Sequence, residues 1–203
     1  DIPLVEQYQA AARTRAYYTG NAQQYCEESS VFEVRDLYAR FLEKIPASAH
    51  ILDLGCGSGR DSKAFRELGH TVTSIDGNPD IAIWARGFTG HPVAVRSFDA
   101  FDGVWASASL LHCHTDQLSN VMKRVLASLK LGGLAYTSSK WGNIPSVDNW
   151  GRHFTNFTSQ TLSDLLSSIP CVETLEIWES EIILRDKDQK WVNAIFRKGA
   201  DVT

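Results

Sequence analysis

The chain has 203 residues, 24 acidic against 20 basic side chains, and a formal net charge of −4. That length suits one domain with a sizeable core, and the charge leaves no broad basic footprint for nucleic acid, only room for a local patch. Hydrophobic residues make up 43% and charged ones 22%, ordinary for a globular protein, and no apolar run approaches the roughly 20 residues of a membrane span.

The four cysteines, Cys26, Cys56, Cys113 and Cys171, form no CxxC pair and no framework spacing. Free thiols in a reducing cytoplasm are the expectation, with no leader legible and no metal site. The first stretches, 2–17 and 21–45, read as helices interrupted at Gly20-Asn21. Val34, Leu37, Tyr38, Phe41, Leu42 and Ile45 share one helical face, and Pro46 ends it. Residues 50–54 then form a short apolar strand. It runs into Gly55, Gly57 and Gly59, glycines at alternate positions, and a helix over about 60–68. A strand that ends in such a turn and opens a helix lets the backbone pass close to a ligand.

A second strand covers 71–75 and ends at Asp76. Asn78-Pro79 starts a helix over 79–87, Asn as N-cap and Pro in the first turn. Strands follow at 92–96 and 101–106. A helix starts at Thr115 or Asp116 with Leu118, Val121, Met122, Val125, Leu126 and Leu129 inward, and Gly132-Gly133 is expected to stop it. A strand at 134–139, a long loop at 140–157, and a helix at 159–168 capped by Thr158 come next. The last two strands, 172–181 and 190–197, meet at a charged turn, Asp186-Lys187-Asp188, without an intervening helix. Alternating strands and helices predict an α/β fold: a doubly wound, mostly parallel sheet with helices on both faces, ending in an antiparallel hairpin.

Asp53-Leu54-Gly55-Cys56-Gly57-Ser58-Gly59, followed by helix, strand and Asp76, resembles the first motif of class I S-adenosylmethionine (SAM)-dependent methyltransferases. The resemblance covers roughly residues 15–198. It implies a Rossmann-like methyltransferase fold of seven strands in the order 3-2-1-4-5-7-6, the seventh antiparallel. It divides residues 1–203, one domain, into an N-terminal helical cover (1–47) and a core (48–199). It also implies SAM as cofactor. Asp53 would organise the turn and reach the methionyl ammonium through water, and Gly55, Gly57 and Gly59 would admit the cofactor. Cys56 and Ser58 would line the site without acting as nucleophiles. Asp76 would take the ribose hydroxyls, with Gly77 and Asn78 at the adenosine edge and Asp99 a candidate for the adenine amino group. Tyr17, Tyr18, Asn21, Ala22 and Tyr25 are similar to the segment lying over the cofactor, unless the tyrosines only cap the core edge. A tellurite-resistance or other small-molecule branch is compatible, though no residue fixes it.

One connection conflicts with that order. Four residues between strands at 92–96 and 101–106 reach only about 14 Å when extended. A crossover between parallel strands needs about a dozen residues or more. Either the strand at 92–96 is misassigned or residues are missing between Ser97 and Phe101, and a chain break or unresolved loop is expected there.

The acceptor half is less determined. Ser107 and His112 follow the strand at 101–106, where relatives place the methionine end of the cofactor and the substrate mouth. His112 is a candidate general base, set against a rim histidine bonded to backbone, while His114 reads as a loop residue. No Asn/Asp-Pro-Pro-aromatic tetrad follows that strand, which disfavours a nucleobase amino group as acceptor. The aromatic loop carries Lys140, Trp141, Trp150, Gly151, Arg152, His153 and Phe154. Arg152 is a candidate for a substrate carboxylate or phosphate, set against a surface ion pair. Trp191 either packs under this loop or belongs to the core. The expected acceptor is a small molecule, with neither membrane nor nucleic acid as partner and no oligomeric state implied. Two other readings stand beside the enzyme: a non-catalytic SAM-binding sensor or partner, and an NAD-dependent oxidoreductase. The latter needs its third glycine at position 60, where this chain has Arg60.

Overall fold

The computed structural model describes residues 4–31, 34–90, 101–184 and 187–200. The strand predicted at 92–96, Asp99, and the junction between Ser97 and Phe101 lie outside the described residues.

Among the described residues six strands form the main sheet: β1 (His50–Leu54), β2 (Thr71–Ile75), β3 (Phe101–Ala106), β4 (Leu129–Lys140), β7 (Val172–Leu184) and β8 (Lys187–Lys198). Their order is β2-β1-β3-β4-β8-β7. This is the predicted order without its first member. β1 pairs in parallel with β2 and β3, and β3 with β4, whereas β8 runs antiparallel to both β4 and β7. Helices α1 (Leu4–Ser29), α2 (Arg35–Leu42), α3 (Arg60–Glu67), α4 (Pro79–Thr89), α5 (Thr115–Ser128) and α6 (Ser159–Ser167) surround it. None of the described helices is long and apolar enough to cross a membrane.

Successive residues of a strand point to opposite faces, and the central strands use both. Val104 and Ala106 of β3, Ala135 of β4 and Ala194 and Phe196 of β8 join one core with Leu118, Met122 and Val125 of α5 and Leu162 and Leu166 of α6. Their neighbours Trp105, Leu134, Tyr136 and Ile195 join a second core with Tyr38 and Phe41 of α2 and Phe65 of α3. The Trp105 and Tyr136 rings stack with centroids 3.9 Å apart.

Three predicted boundaries move. The second helix, expected over 21–45, is two pieces. α1 continues through Gly20 with a kink at Asn21 (φ −128°) and ends at Ser29, and α2 begins only at Arg35. Ser29 and Ser30 turn their hydroxyls back onto the Cys26 and Glu27 carbonyls, satisfying helix-end acceptors locally. Gly132-Gly133 does not stop α5, which ends at Ser128 and passes directly into β4. There Leu129 already pairs with Phe101, and the glycines sit in the register shift before Gly103 pairs with Leu134. The long loop holds structure as well: β5 (Ser146–Val147) and β6 (His153–Phe154) pair as a small antiparallel ribbon. This excursion closes on its own base, since Phe157 N–H donates to the Lys140 carbonyl and Gly142 N–H to the Phe157 carbonyl.

Candidate active site

The glycine turn begins where β1 leaves the sheet. Gly55 and Cys56 N–H groups donate to the Ile75 carbonyl, both at 2.9 Å. Gly55 (φ +77°) and Gly57 (φ +54°) take left-handed backbone, which a Cβ disfavours. Space forbids one at Gly55 too, since it would lie 2.5 Å from the Ser109 Cβ. Asp76 closes the turn from the end of β2. Its Oδ2 accepts from Gly57 N–H at 3.0 Å and its Oδ1 from Asn78 N–H at 2.9 Å. Burial raises its carboxyl above the usual range, partly countered by those two bonds. Asn78 caps α4, accepting from Asp80 and Ile81 N–H, and donates through Nδ2 to the Thr19 hydroxyl on α1.

Among the described residues two cavities open on this turn, and α1 lines both. The larger, 440 Å³, is lined by Asp76, Gly77, Asn78, Ile81 and Ser109. The smaller, 220 Å³, is lined by Cys56, Ser58, Ser107, Tyr136, Lys140 and Arg152 among others. Tyr18, Tyr25, Gly55, Gly57, Ala108 and His112 line both, so the tyrosines of α1 stand at the partition. Their rings meet edge to face, 5.0 Å apart. The structure thus brings together most of the predicted site: Tyr18, Tyr25, Gly55, Cys56, Gly57, Asp76, Gly77, Asn78, Ser107, His112 and Arg152. The Cys56 thiol is pushed up by burial and by the carboxylates of Asp53 and Asp76, which makes it a poor nucleophile.

Two predicted site residues stand apart from both cavities. Asp53 lines neither cavity. It is buried beneath the turn, where its Oδ2 accepts from the Ser62 hydroxyl at 2.5 Å and Ser62 in turn meets Ser74. Burial, then the nearby Asp61, raises its carboxyl. It ties the end of β1 to α3 and β2 through Ser62 and Ser74. Gly59 also lines neither cavity. It is the left-handed residue before α3, and a Cβ there would fall 2.5 Å from Thr89 Cγ2. Its smallness serves the packing of α3 against α4.

His112 is engaged at both nitrogens. Its Nδ1 lies 2.7 Å from the His153 carbonyl and its Nε2 2.8 Å from the Tyr18 hydroxyl. A carbonyl only accepts, so Nδ1 carries the hydrogen and neutral Nε2 accepts from Tyr18. Burial lowers its pKa to about 4, outweighing the bond to His153, and the charges of Arg152 and Lys140 push the same way. Arg152 donates through Nε to Asp148 at 2.7 Å, and its guanidinium lies 4.1 Å from the Tyr17 ring centroid.

Sequence reasoning passed over Asp61. It lines the smaller cavity and is buried. Its Oδ1 accepts from the Tyr38 hydroxyl and Arg60 Nε, both at 2.5 Å, and its Oδ2 from Trp105 Nε1 at 2.8 Å. Burial alone would raise its carboxyl, but Arg60 and these donors outweigh it and hold the group ionised. The available signal was its place one helical turn before Phe65, which marks an inward face. Tyr136 and Asn193 were also missed. The Tyr136 hydroxyl donates to Asn193 Oδ1 at 2.8 Å across β4 and β8, and both line the smaller cavity.

A family model described as a methyltransferase domain matches residues 27–168. The chain belongs to the methyltransferase-domain family. Within this SAM-dependent family, the fold is similar to that of a SAM-dependent methyltransferase from Methanosarcina mazei (TM-score 0.69, 20% identity, 84% of this chain and all of that one). It is equally similar to 1,6-didemethyltoxoflavin-N1-methyltransferase from Burkholderia thailandensis, solved with 1,6-didemethyltoxoflavin and S-adenosylhomocysteine. That match has TM-score 0.69 and 23% identity over 98% of this chain and 93% of that one. A malonyl-[acyl-carrier protein] O-methyltransferase from Enterobacter lignolyticus is 28% identical over 120 residues, 52% of this chain and 46% of that protein. The chain spans less than half the length of the curated relatives it matches.

The residues present fit the methyltransferase cofactor. A carboxylate offers about four lone-pair sites, and Asp76 spends two on Gly57 and Asn78, leaving acceptors for vicinal hydroxyls. Gly55 and Gly57 present bare backbone to both cavities, and would admit the methionyl chain of the cofactor at close range.

Proposed function

We propose that the chain transfers the methyl group of SAM to a small molecule seated in the smaller cavity. The observation that carries this reading is the second cavity itself. It shares the glycine turn and the two tyrosines with the Asp76 cavity but draws its far wall from β4, β8 and the β5–β6 excursion. A SAM sensor has no need of that wall. At 220 Å³ it is smaller than the usual range of drug-sized sites, and part of it must take the methionyl end. The toxoflavin enzyme supports a small acceptor by analogy of fold.

The bound cofactor supplies an activated methyl group on a sulfonium. What remains for the chain is alignment and exclusion of water. Tyr18 and Tyr25 close the site from α1, and neutral His112 holds the Tyr18 hydroxyl in place. With its Nε2 occupied and its basicity depressed, His112 serves here as a positioning residue. The acceptor therefore brings its own nucleophile, an amine or a group already ionised. Residues 1–47 acting as cover over a 48–199 core, and a cytoplasmic setting consistent with four free cysteines, belong to the same proposal.

Asp76→Ala is expected to weaken S-adenosylhomocysteine binding at least tenfold, about 1.4 kcal/mol, measured by calorimetric titration. Unchanged affinity would remove the hydroxyl-binding role from Asp76. Incubation with methyl-labelled SAM and small-molecule extract tests turnover. Reproducible cofactor binding with no labelled product would favour the sensor.

A further inference from the structure

The smaller cavity has one polar end that the cofactor does not account for. Lys140 ends β4 and Trp191 lies opposite it on β8, the two being register partners in the antiparallel ladder. Both line the cavity. Among the described residues Trp191 Nε1 is buried with no hydrogen-bond partner, a costly state for an indole N–H unless a water or a ligand meets it. Lys140 forms no close ion pair among the described residues; the nearest carboxylate acting on it, Asp148, is already paired with Arg152. Its Nζ lies 3.6 Å from the Phe154 ring centroid. The other cavity cations are matched, Arg60 by Asp61 and Arg152 by Asp148. The excess positive charge around this end is therefore that of Lys140.

Position separates this pair from the methionyl carboxylate of the cofactor. β4 lies two strands from β1 and β8 three. At about 4.8 Å per strand, Lys140 and Trp191 stand on the order of 10–14 Å across the sheet from the glycine turn.

Resting on the methyl-transfer reading above, we propose that the acceptor is a small carboxylate, its carboxylate held between the Lys140 ammonium and the Trp191 indole N–H. A carboxylate answers both groups at once: one oxygen accepts from each, and its charge neutralises the unmatched cation. Burial lowers the Lys140 pKa, and the nearby Arg152 charge lowers it further. An arriving anion relieves both. The carboxylate is the anchor, so the nucleophilic atom lies at the other end of the molecule, toward the glycine turn.

The test uses protein saturated with S-adenosylhomocysteine, titrated with benzoate, 4-aminobenzoate and succinate and with benzamide and 4-aminobenzamide as neutral matches. Binding of a carboxylate at least tenfold tighter than its amide is expected. Lys140→Met should weaken that carboxylate at least tenfold and Trp191→Phe about threefold or more, both with S-adenosylhomocysteine affinity unchanged. Lys123→Met, on the exposed face of α5, should change neither. Amides binding as well as carboxylates, indifference to Lys140→Met, or no carboxylate bound by the loaded protein would overturn the proposal. Failure of S-adenosylhomocysteine itself to bind would instead overturn the methyl-transfer reading beneath it.

Discussion

Asp61→Ala is expected to lower stability by about 3–5 kcal/mol, the usual result of removing one partner from a buried ion pair. The substitution strands three donors at once: Arg60 Nε, the Tyr38 hydroxyl and Trp105 Nε1. Arg60 is the costliest of them, because its side chain is 20% exposed and would keep a charge with no counter-ion. Trp105 also stacks on Tyr136, so the loss spreads to the cavity wall. Urea denaturation of the two proteins measures the difference. Asp61→Asn keeps an oxygen acceptor and should recover part of it, whereas equal loss in both variants would place the whole effect in the charge. A loss under 1 kcal/mol in Asp61→Ala would show that the network rearranges freely.

The second large effect is a pH dependence carried by His112. In the unfolded chain this imidazole takes a proton near pH 6.5, whereas in the folded state burial holds it back to about 4. The unfolded state therefore binds more protons between these values, and acid favours it. The contribution is fully present above pH 6.5 and is lost as pH falls through 4, to a total of about 3 kcal/mol. His50 and His153 are shifted in the same direction, so the wild-type slope is shared. Comparing wild type with His112→Asn isolates one histidine. Unfolding measured at steps from pH 7.5 to 4.5 should show a shallower decline in the variant. Parallel curves would mean that His112 is protonated in the fold at its ordinary pH, and the assigned Tyr18-to-Nε2 bond would be wrong.

Local chemistry made the donor half of this protein readable. Left-handed glycines, a carboxylate at a strand end and Asn78-Pro79 each carry their meaning within a few residues, and the structure gathers Gly55, Gly57, Asp76 and Asn78 around one cavity. Where a signal was local but the cause was not, the reading slipped. Gly132-Gly133 looks like a helix stop, yet α5 ends earlier because β4 pairs with β3 from Leu129. Asp53 reads as part of the turn's ligand face, and in the structure its carboxylate accepts from Ser62 in the helix that the turn opens. The acceptor half depends on meetings that no spacing announces. Lys140 faces Trp191 only because β8 returns antiparallel beside β4, and His112 meets Tyr18 only because α1 crosses the mouth. Asp61 reads as an ordinary first-turn acid until Arg60, Tyr38 and Trp105 are seen to converge on it.

The excursion between β4 and α6 has its two ends fastened to each other by the bonds between Lys140, Gly142 and Phe157. A segment anchored in this way transmits little to the sheet when its tip is altered, and lengthening it costs only slowly growing closure entropy. The tip is tied elsewhere, however: the His153 carbonyl accepts from His112, and Arg152 and Trp150 lie against Tyr17 of α1. A different tip grafted between these fastened ends must therefore keep the His153 carbonyl if His112, and through it the Tyr18 hydroxyl, is to stay where it is.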